Sequence, residues 1–282
     1  MQQPVKKNVR FYSRWFRRGA VSEAHGEYLE RIRKREMLIV SNQVLIGLMF
    51  LVFWEVGARV GWIDPFITSQ PSKVVDTIVG LFHSGKLWIH IWTTVWETTV
   101  GFILGTVGGS LIAVLLWWSK WVADILEPYI VILNSVPKVA LGPVFIVWLG
   151  SGTPAILMMA LSISVIVTVM MVFNGFNEVN PDTIKLMQSF GATRQQILTK
   201  VVLPATFPTM IAALKVNLGL SLVGTIVGEF LVSKEGLGYL IVYGGQVFNM
   251  SLVMASVIIL CIVAALLYYA VTVLEKRLIH WK

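Results

Sequence analysis

Five ionisable side chains stand in otherwise apolar stretches of this 282-residue chain: Glu55, Glu97, Lys138, Lys215 and Glu229. A charge at membrane depth costs at least about 2.5 kcal/mol, so such groups face protein or water and mark pairs, relays or solute paths. Glu55 and Arg59 are one helical turn apart near a span end and read as a structural pair. Glu97 is expected near an interface, and Lys215, shortly after Pro208, near the cytoplasmic one. Lys138 is the most informative of the five. It follows Pro137, which has no N–H to donate and interrupts a helix, freeing carbonyls near mid-membrane. Asn134, Ser135 and Lys138 therefore line a polar path in one reading, where a cation suits an anionic solute. In the other reading Lys138 snorkels or pairs with Glu229.

Other chemistry is missing from the sequence. The only Gly-Lys pair, Gly85-Lys86, is followed by Leu87, so no G-x-x-x-x-G-K-[ST] phosphate loop exists. His25, His83, His90 and His280 lack metal-ligand spacing, and no nucleophile elbow occurs. Cys261 stands alone in an apolar run and reads as packing. The chain is therefore not expected to catalyse a reaction, to bind a metal or cofactor of its own, or to hydrolyse ATP.

The elements that must hold these residues are membrane helices. Residues 139–177 and 236–274 contain no charged residue, and about 20 apolar residues suffice to cross a bilayer. Mean hydropathy is +0.75. The expected fold is an all-α membrane protein of six spans, roughly 38–60, 92–118, 123–149, 153–175, 205–231 and 250–274. Ten of the 23 basic residues precede residue 38, so the net charge of +8 follows the membrane and is not a nucleic-acid signal. Lys120, Lys185, Arg194, Lys200, Lys276, Arg277 and Lys282 fall on the same side as this tail; Arg59, Lys73, Lys86 and Lys234 fall opposite. The positive-inside rule places both termini in the cytoplasm. The first 37 residues are too polar for a cleaved signal peptide. Residues 10–18 mix Arg with Phe11, Tyr12, Trp15 and Phe16, as in a helix lying in the headgroup layer, and 22–36 read as a charged helix. Residues 1–37 thus form a basic tail and 38–282 one six-span membrane domain, without internal repeat or linker. Gly101, Gly105, Gly109 and Gly224, Gly228 recur at four-residue spacing, which permits close helix approach, within one subunit or across a dimer seam.

The stretch NPDTIKLMQSFGATRQQILTKVVLP, Asn180 to Pro204, carries the strongest local signals. Asn180 is a good N-cap and Pro181 suits the first helical position. Ile184, Met187 and Leu186, Phe190 recur at three and four residues and are expected to form one apolar side. Gly191 ends the helix in the left-handed conformation, and Thr193 with Gln196 opens a second helix through a capping box. Pro204 and Pro208 bracket the start of the next span.

This stretch resembles the cytoplasmic loop of inner-membrane permeases of ABC importers, whose pattern is E-A-A, three residues, G, nine residues, I, x, L-P. Gly191, Val201 in the Ile place, Leu203 and Pro204 keep the register; Lys185, Leu186 and Met187 stand where Glu, Ala, Ala would be. QPSKVVDTI (Gln70 to Ile78), PKVALGPVFIVWLG (Pro137 to Gly150), VGEF followed by GLGYLI (Val227 to Ile241) and the closing LEKRLIHW are similar to the nitrate, sulfonate and taurine branch. The resemblance runs from about residue 50 to the C-terminus, and the basic tail is longer than its pattern. It implies a type I importer permease fold with a coupling helix at about 181–195, in which Lys185, Leu186, Met187, Phe190, Gly191, Ala192, Leu203 and Pro204 form the ATPase contact. It also implies a homodimer in the inner membrane, two cytoplasmic ATPase subunits that hold ATP and Mg, an extracytoplasmic substrate-binding protein, and a small anionic or zwitterionic solute. A self-contained secondary transporter or channel is the alternative; a scaffold and a membrane enzyme rank below it.

Overall fold

The structure is a computed structural model describing residues 23–278; the interfacial helix expected at 10–18 lies outside those residues. Among the described residues every regular element is helical.

The chain divides into two compact units. The first is essentially one helix, α1 (Glu23–Val60), which runs unbroken from the charged segment into the first apolar span. Glu30 and Lys34 pair one turn apart on its charged part. Near its end Glu55 pairs with Arg59 at 2.6 Å, as the spacing suggests. Glu55 also accepts hydrogen bonds from the backbone N–H and hydroxyl of Ser72, both at 3.0 Å.

Apart from Pro71 and Ser72, which belong to the first unit, the second unit contains α2 (Pro71–His83), α3 (Lys86–Trp118), α4 (Lys120–Ser135), α5 (Gly142–Leu149), α6 (Thr153–Asn177), α7 (Pro181–Ser189), α8 (Arg194–Ile197), α9 (Leu203–Val232), α10 (Leu237–Gln246) and α11 (Met250–Leu278). Its centre is the packing of α3, α6 and α9. Five helices in the described chain are long and apolar enough to cross a membrane, and a sixth crossing requires α4 and α5 together. The span expected over 123–149, with its helix interrupted at Pro137, is two pieces bent by 88°. Val136 and Pro137 are extended at the break, because a proline disfavours helix in the residue before it and cannot supply the missing N–H. Sequence periodicity assigned no element to α2 or α10, which are too short to span.

Close backbone approach explains the spaced glycines. A Cβ at Gly101 would stand 2.8 Å from the Cβ of Ala160, and one at Gly224 only 2.5 Å from the Cα of Ala160. Gly105 and Gly109 meet Ser164 and Thr168, and Gly228 meets Ile156. The facing residues of α6 (Ile156, Ala160, Ser164 and Thr168) themselves repeat every four residues and are all buried. Both glycine runs are thus seams within one subunit. Lys215, expected near an interface, pairs with Glu275 of α11 at 2.6 Å.

Gly224→Val should destabilise the purified protein by at least about 1–3 kcal/mol, the usual cost of overpacking, because the obstruction is backbone. Gly108→Ala, with nothing within 4 Å, is the matched control. Thermal unfolding of both variants in detergent checks this; equal melting of Gly224→Val and wild type would refute the seam.

Candidate functional site

Three constellations of polar or exposed residues stand out. The first is the loop between α6 and α9. The Asn180 side chain accepts from the Asp182 N–H at 2.8 Å, with Pro181 at the first helical position of α7. Gly191 takes φ = +75°, which closes α7 with the Ala192 N–H donating to Met187 O at 3.0 Å. Thr193 and Gln196 then form both halves of the capping box. A π-helical turn, Leu198–Val202, follows. The helix widens just where Pro204 has no N–H for the carbonyl of Lys200. α8, this turn and α9 thus form one continuous rod to Val232.

The apolar residues of α7 do not form one side, as the sequence reading expected. Residues two apart on a helix differ by about 200°, so the four divide into two pairs. Ile184 and Met187 pack inward with Ala192 and Leu203 onto buried Phe176, Ile197, Leu198 and Val202. Leu186 and Phe190 point outward, 54% and 76% exposed. Lys185 makes only a solvent-exposed pair with Asp182, of little energetic weight. Arg194 donates to the carbonyl of Trp117 and lies over its ring, 5.6 Å from the centroid. That contact fastens the loop to the end of α3.

The second constellation is the α4–α5 break. Lys138 turns its ammonium back onto the carbonyl of Asn134 at 2.5 Å, so the cation itself caps the carbonyl end of α4. Ser135 donates to Val131 O. Asn134, Ser135 and Lys138 are therefore brought together, with Asn134 and Ser135 exposed. Glu229 is not among them, and the pairing of Lys138 with Glu229 weighed from sequence does not occur.

Glu229 instead organises the third constellation. It is 1% exposed and accepts from Thr94 Oγ1 and from the Gly238 N–H, both at 2.6 Å. Thr94 Oγ1 accepts from the Leu237 N–H at 2.8 Å, and His90 Nδ1 from the Gly236 N–H at 3.0 Å. The first N–H groups of a helix have no partner within it. Here α3 and α9 supply partners for the start of α10, and the carboxylate sits at the positive end of its dipole. A Cβ on Gly236 would fall 2.4 Å from the Glu229 carboxyl carbon, so the spacing of Glu229, Gly236 and Gly238 is that of a carboxylate under a tight turn. The roles of His90 and Thr94 escaped sequence reading, although a signal existed: His90, Thr94, Glu97, Thr98, Gly101, Gly105 and Gly109 recur at helical spacing on the buried face of α3. Glu97, expected near an interface, is also 1% exposed. Among the described residues no group of three metal-ligating side chains occurs.

Comparison with known proteins gives the family and the fold. A family model described as "binding-protein-dependent transport system inner membrane component" matches residues 105–280. The putative aliphatic sulfonates transport permease protein SsuC of Bacillus subtilis is 28% identical over 94% of this chain and 96% of that protein. The taurine transport system permease protein TauC of Escherichia coli is 27% identical over 86% of this chain and 91% of its own. Among solved structures, an inward-facing MetNI methionine ABC transporter superposes with TM-score 0.61 at 22% identity, covering 69% of this chain and 98% of that one. A bacterial importer of the acidic polysaccharide alginate gives TM-score 0.62 at 17% identity, covering 89% and 99%. These two likenesses are of fold.

Thr94→Val keeps the shape but strands the Leu237 N–H, a loss of about 1–3 kcal/mol for a buried unpaired donor. Hydrogen exchange of residues 236–246 should accelerate in this variant while α6 keeps its protection. Unchanged exchange at the start of α10 would dismiss the cap.

Proposed function

The chain belongs to the family of binding-protein-dependent transport system inner membrane components, and from that premise we propose how it works as the membrane-spanning permease subunit of an ATP-driven importer. The observation that carries the reading is the outward pair Leu186 and Phe190, held on a capped helix that is continuous with α9. A large exposed aromatic beside an aliphatic, rigidly presented, is the kind of anchor that a partner's groove takes up. Lys185, Leu186, Met187, Phe190, Gly191, Ala192, Leu203 and Pro204 form the coupling element. Leu186 and Phe190 make the contact, Met187, Ala192 and Leu203 seat the element, Gly191 turns it, and Pro204 starts the lever helix. The partner is a cytoplasmic ATPase that holds ATP and Mg, two copies serving two copies of this chain. Both termini, including the basic segment 1–37, lie on that side. ATP-driven closure of the ATPases moves the two coupling elements, and α9 carries the motion into the α3–α6–α9 centre, switching access between the two membrane faces.

The solute is small and anionic or zwitterionic, delivered by an extracytoplasmic binding protein. Lys138 at the break supports this class, as do relatives whose names specify aliphatic sulfonates and taurine. Asn134 and Ser135 flank the cation with hydrogen-bonding groups that a solute passing the break can use. Glu229 acts from behind, by fixing α10.

Phe190→Asp should leave membrane insertion intact and weaken capture of the ATPase at least about thirtyfold, the loss expected for an aromatic anchor. Co-purification and substrate-stimulated ATP hydrolysis report it, and wild-type values for both would remove the coupling assignment. Lys138→Met should assemble with normal basal ATPase activity yet lose most uptake of an anionic solute in proteoliposomes. Full uptake by an assembled variant would take Lys138 off the path. Because its ammonium bonds Asn134, a second change at Glu229 should not restore activity.

A further inference from the structure

A cavity of about 290 Å³ opens at the ends of α3, α6 and α9 opposite the α7–α8 turn. Glu97 and Thr93 of α3, Thr153 at the start of α6, and Ser233, Lys234 and Glu235 after α9 line it. Glu97 is 1% exposed. One of its oxygens accepts from Thr153 Oγ1 at 2.9 Å, and the other, also buried, has no hydrogen-bond partner. Glu235 stands at the exposed rim, where Thr93 Oγ1 lies 3.5 Å from its carboxylate. Lys234 is exposed at the same rim, and among the described residues neither it nor either glutamate belongs to an ion pair. A buried carboxylate oxygen without a donor is costly and calls for a partner.

We propose that this cavity receives a guanidinium or ammonium side chain presented by the extracytoplasmic binding protein. The inference rests on the importer reading above. Two carboxylates against one lysine leave the cavity net acidic. One lies deep and one at the mouth, with hydroxyls between them, an arrangement that a long cationic side chain satisfies along its length. A guanidinium has five donors in a planar fork and reaches a carboxylate and flanking hydroxyls together. Two carboxylates are few for a metal ion, which prefers a fuller set of charged oxygens. The position also suits a docking protein. The cavity lies at the far end from the coupling element and touches three segments: the α5–α6 link, the α9–α10 link and α3. A cationic side chain seated there joins the outer ends of the three central helices, so docking of the loaded binding protein reaches the same core that the ATPase drives from the other side.

The test is the equilibrium affinity of the binding protein for the complete transporter in lipid nanodiscs, measured over a range of salt. Glu235→Gln, an exposed rim change, should weaken docking about tenfold and flatten its salt dependence. Glu97→Gln should do the same if it folds, and Glu235→Gln decides if it does not. Lys234→Met should tighten docking, because it removes a like charge from the rim. One arginine or lysine on the binding protein should lose additivity with Glu235→Gln in a double-mutant cycle. Wild-type affinity and salt slope in Glu235→Gln would overturn the proposal. So would loss of folded protein in Lys234→Met, which would make Lys234 the counter-ion of Glu97. Affinity that depends on which free cation is present at constant ionic strength would overturn it too, pointing to a bound ion. A wild-type complex that binds no extracytoplasmic protein would instead sink the importer reading itself.

Discussion

Ala160 occupies the point where three helix backbones meet, with Gly101 of α3 on one side and Gly224 of α9 on the other. Lipid tails are as apolar as leucine, so helices in a bilayer gain little by burying large aliphatic groups against one another. They gain by close van der Waals approach and by hydrogen bonding. The centre of this molecule is built accordingly. Its seams are glycine, alanine, serine and threonine at every fourth residue, while many large apolar side chains, such as Ile103, Leu104, Leu111 and Leu115 of α3, remain exposed on the outer surface. The tightness at Ala160 is what brings His90 and Thr94 on α3 and Glu229 on α9 within bonding distance of one turn.

The same seams bear on movement. Along α9, Asn217, Ser221, Thr225 and Glu229 follow one another at four-residue intervals, all buried. Small, smooth contact surfaces interlock less than rows of leucine, so a helix can shift along such a seam without repacking bulky side chains. The two ends of α9 are held firmly by other means. One end leads through the π-helical turn into the capped α7–α8 loop, tied to α3 by Arg194 and Trp117. The other carries Glu229 beneath α10. A rod with fixed attachments at both ends and a low-relief contact between them suits the transfer of displacement across a membrane.

How far the sequence discloses this arrangement depends on the range of each interaction. The spans follow from hydropathy, which needs no partner. The break at Pro137 follows from the covalent chemistry of proline, and the caps at Asn180, Thr193 and Gln196 act within three residues of themselves. All of these are legible. The glycine runs are legible as close contacts but not as contacts with any particular helix. Only the facing repeat Ile156, Ala160, Ser164, Thr168 assigns them to the interior of one subunit. The division of α7 into Ile184 and Met187 inside, Leu186 and Phe190 outside is also legible on a helical wheel, since residues two apart differ by about 200°. The part of the α10 cap supplied by α3 is the least legible, because Thr94 and His90 lie more than 130 positions from their partners, whereas Gly238 is nine from Glu229.

The charges illustrate the same limit and lead to one last step. Opposite signs on two spans suggest a pair, yet sequence carries no register between distant helices. Lys138 and Glu229 each find a helix end instead: the cation meets the carbonyl end of α4, and the carboxylate meets the N–H end of α10. Each charge is therefore stabilised by the backbone groups of a helix end, the Lys138 ammonium at the break within a span and the Glu229 carboxylate at the start of a short helix after one. The interruption and the charge need each other. Without the break the Lys138 ammonium would lose its carbonyl partner, and without Glu229 the buried Gly238 N–H would lose its acceptor. The two sites differ in what surrounds them. Glu229 is sealed in protein and fixes a turn, whereas Asn134 and Ser135 beside Lys138 stay exposed. Of the two dipole-stabilised charges, Lys138 alone stands beside exposed polar side chains, and its carbonyl partner is on its own chain one helical turn back.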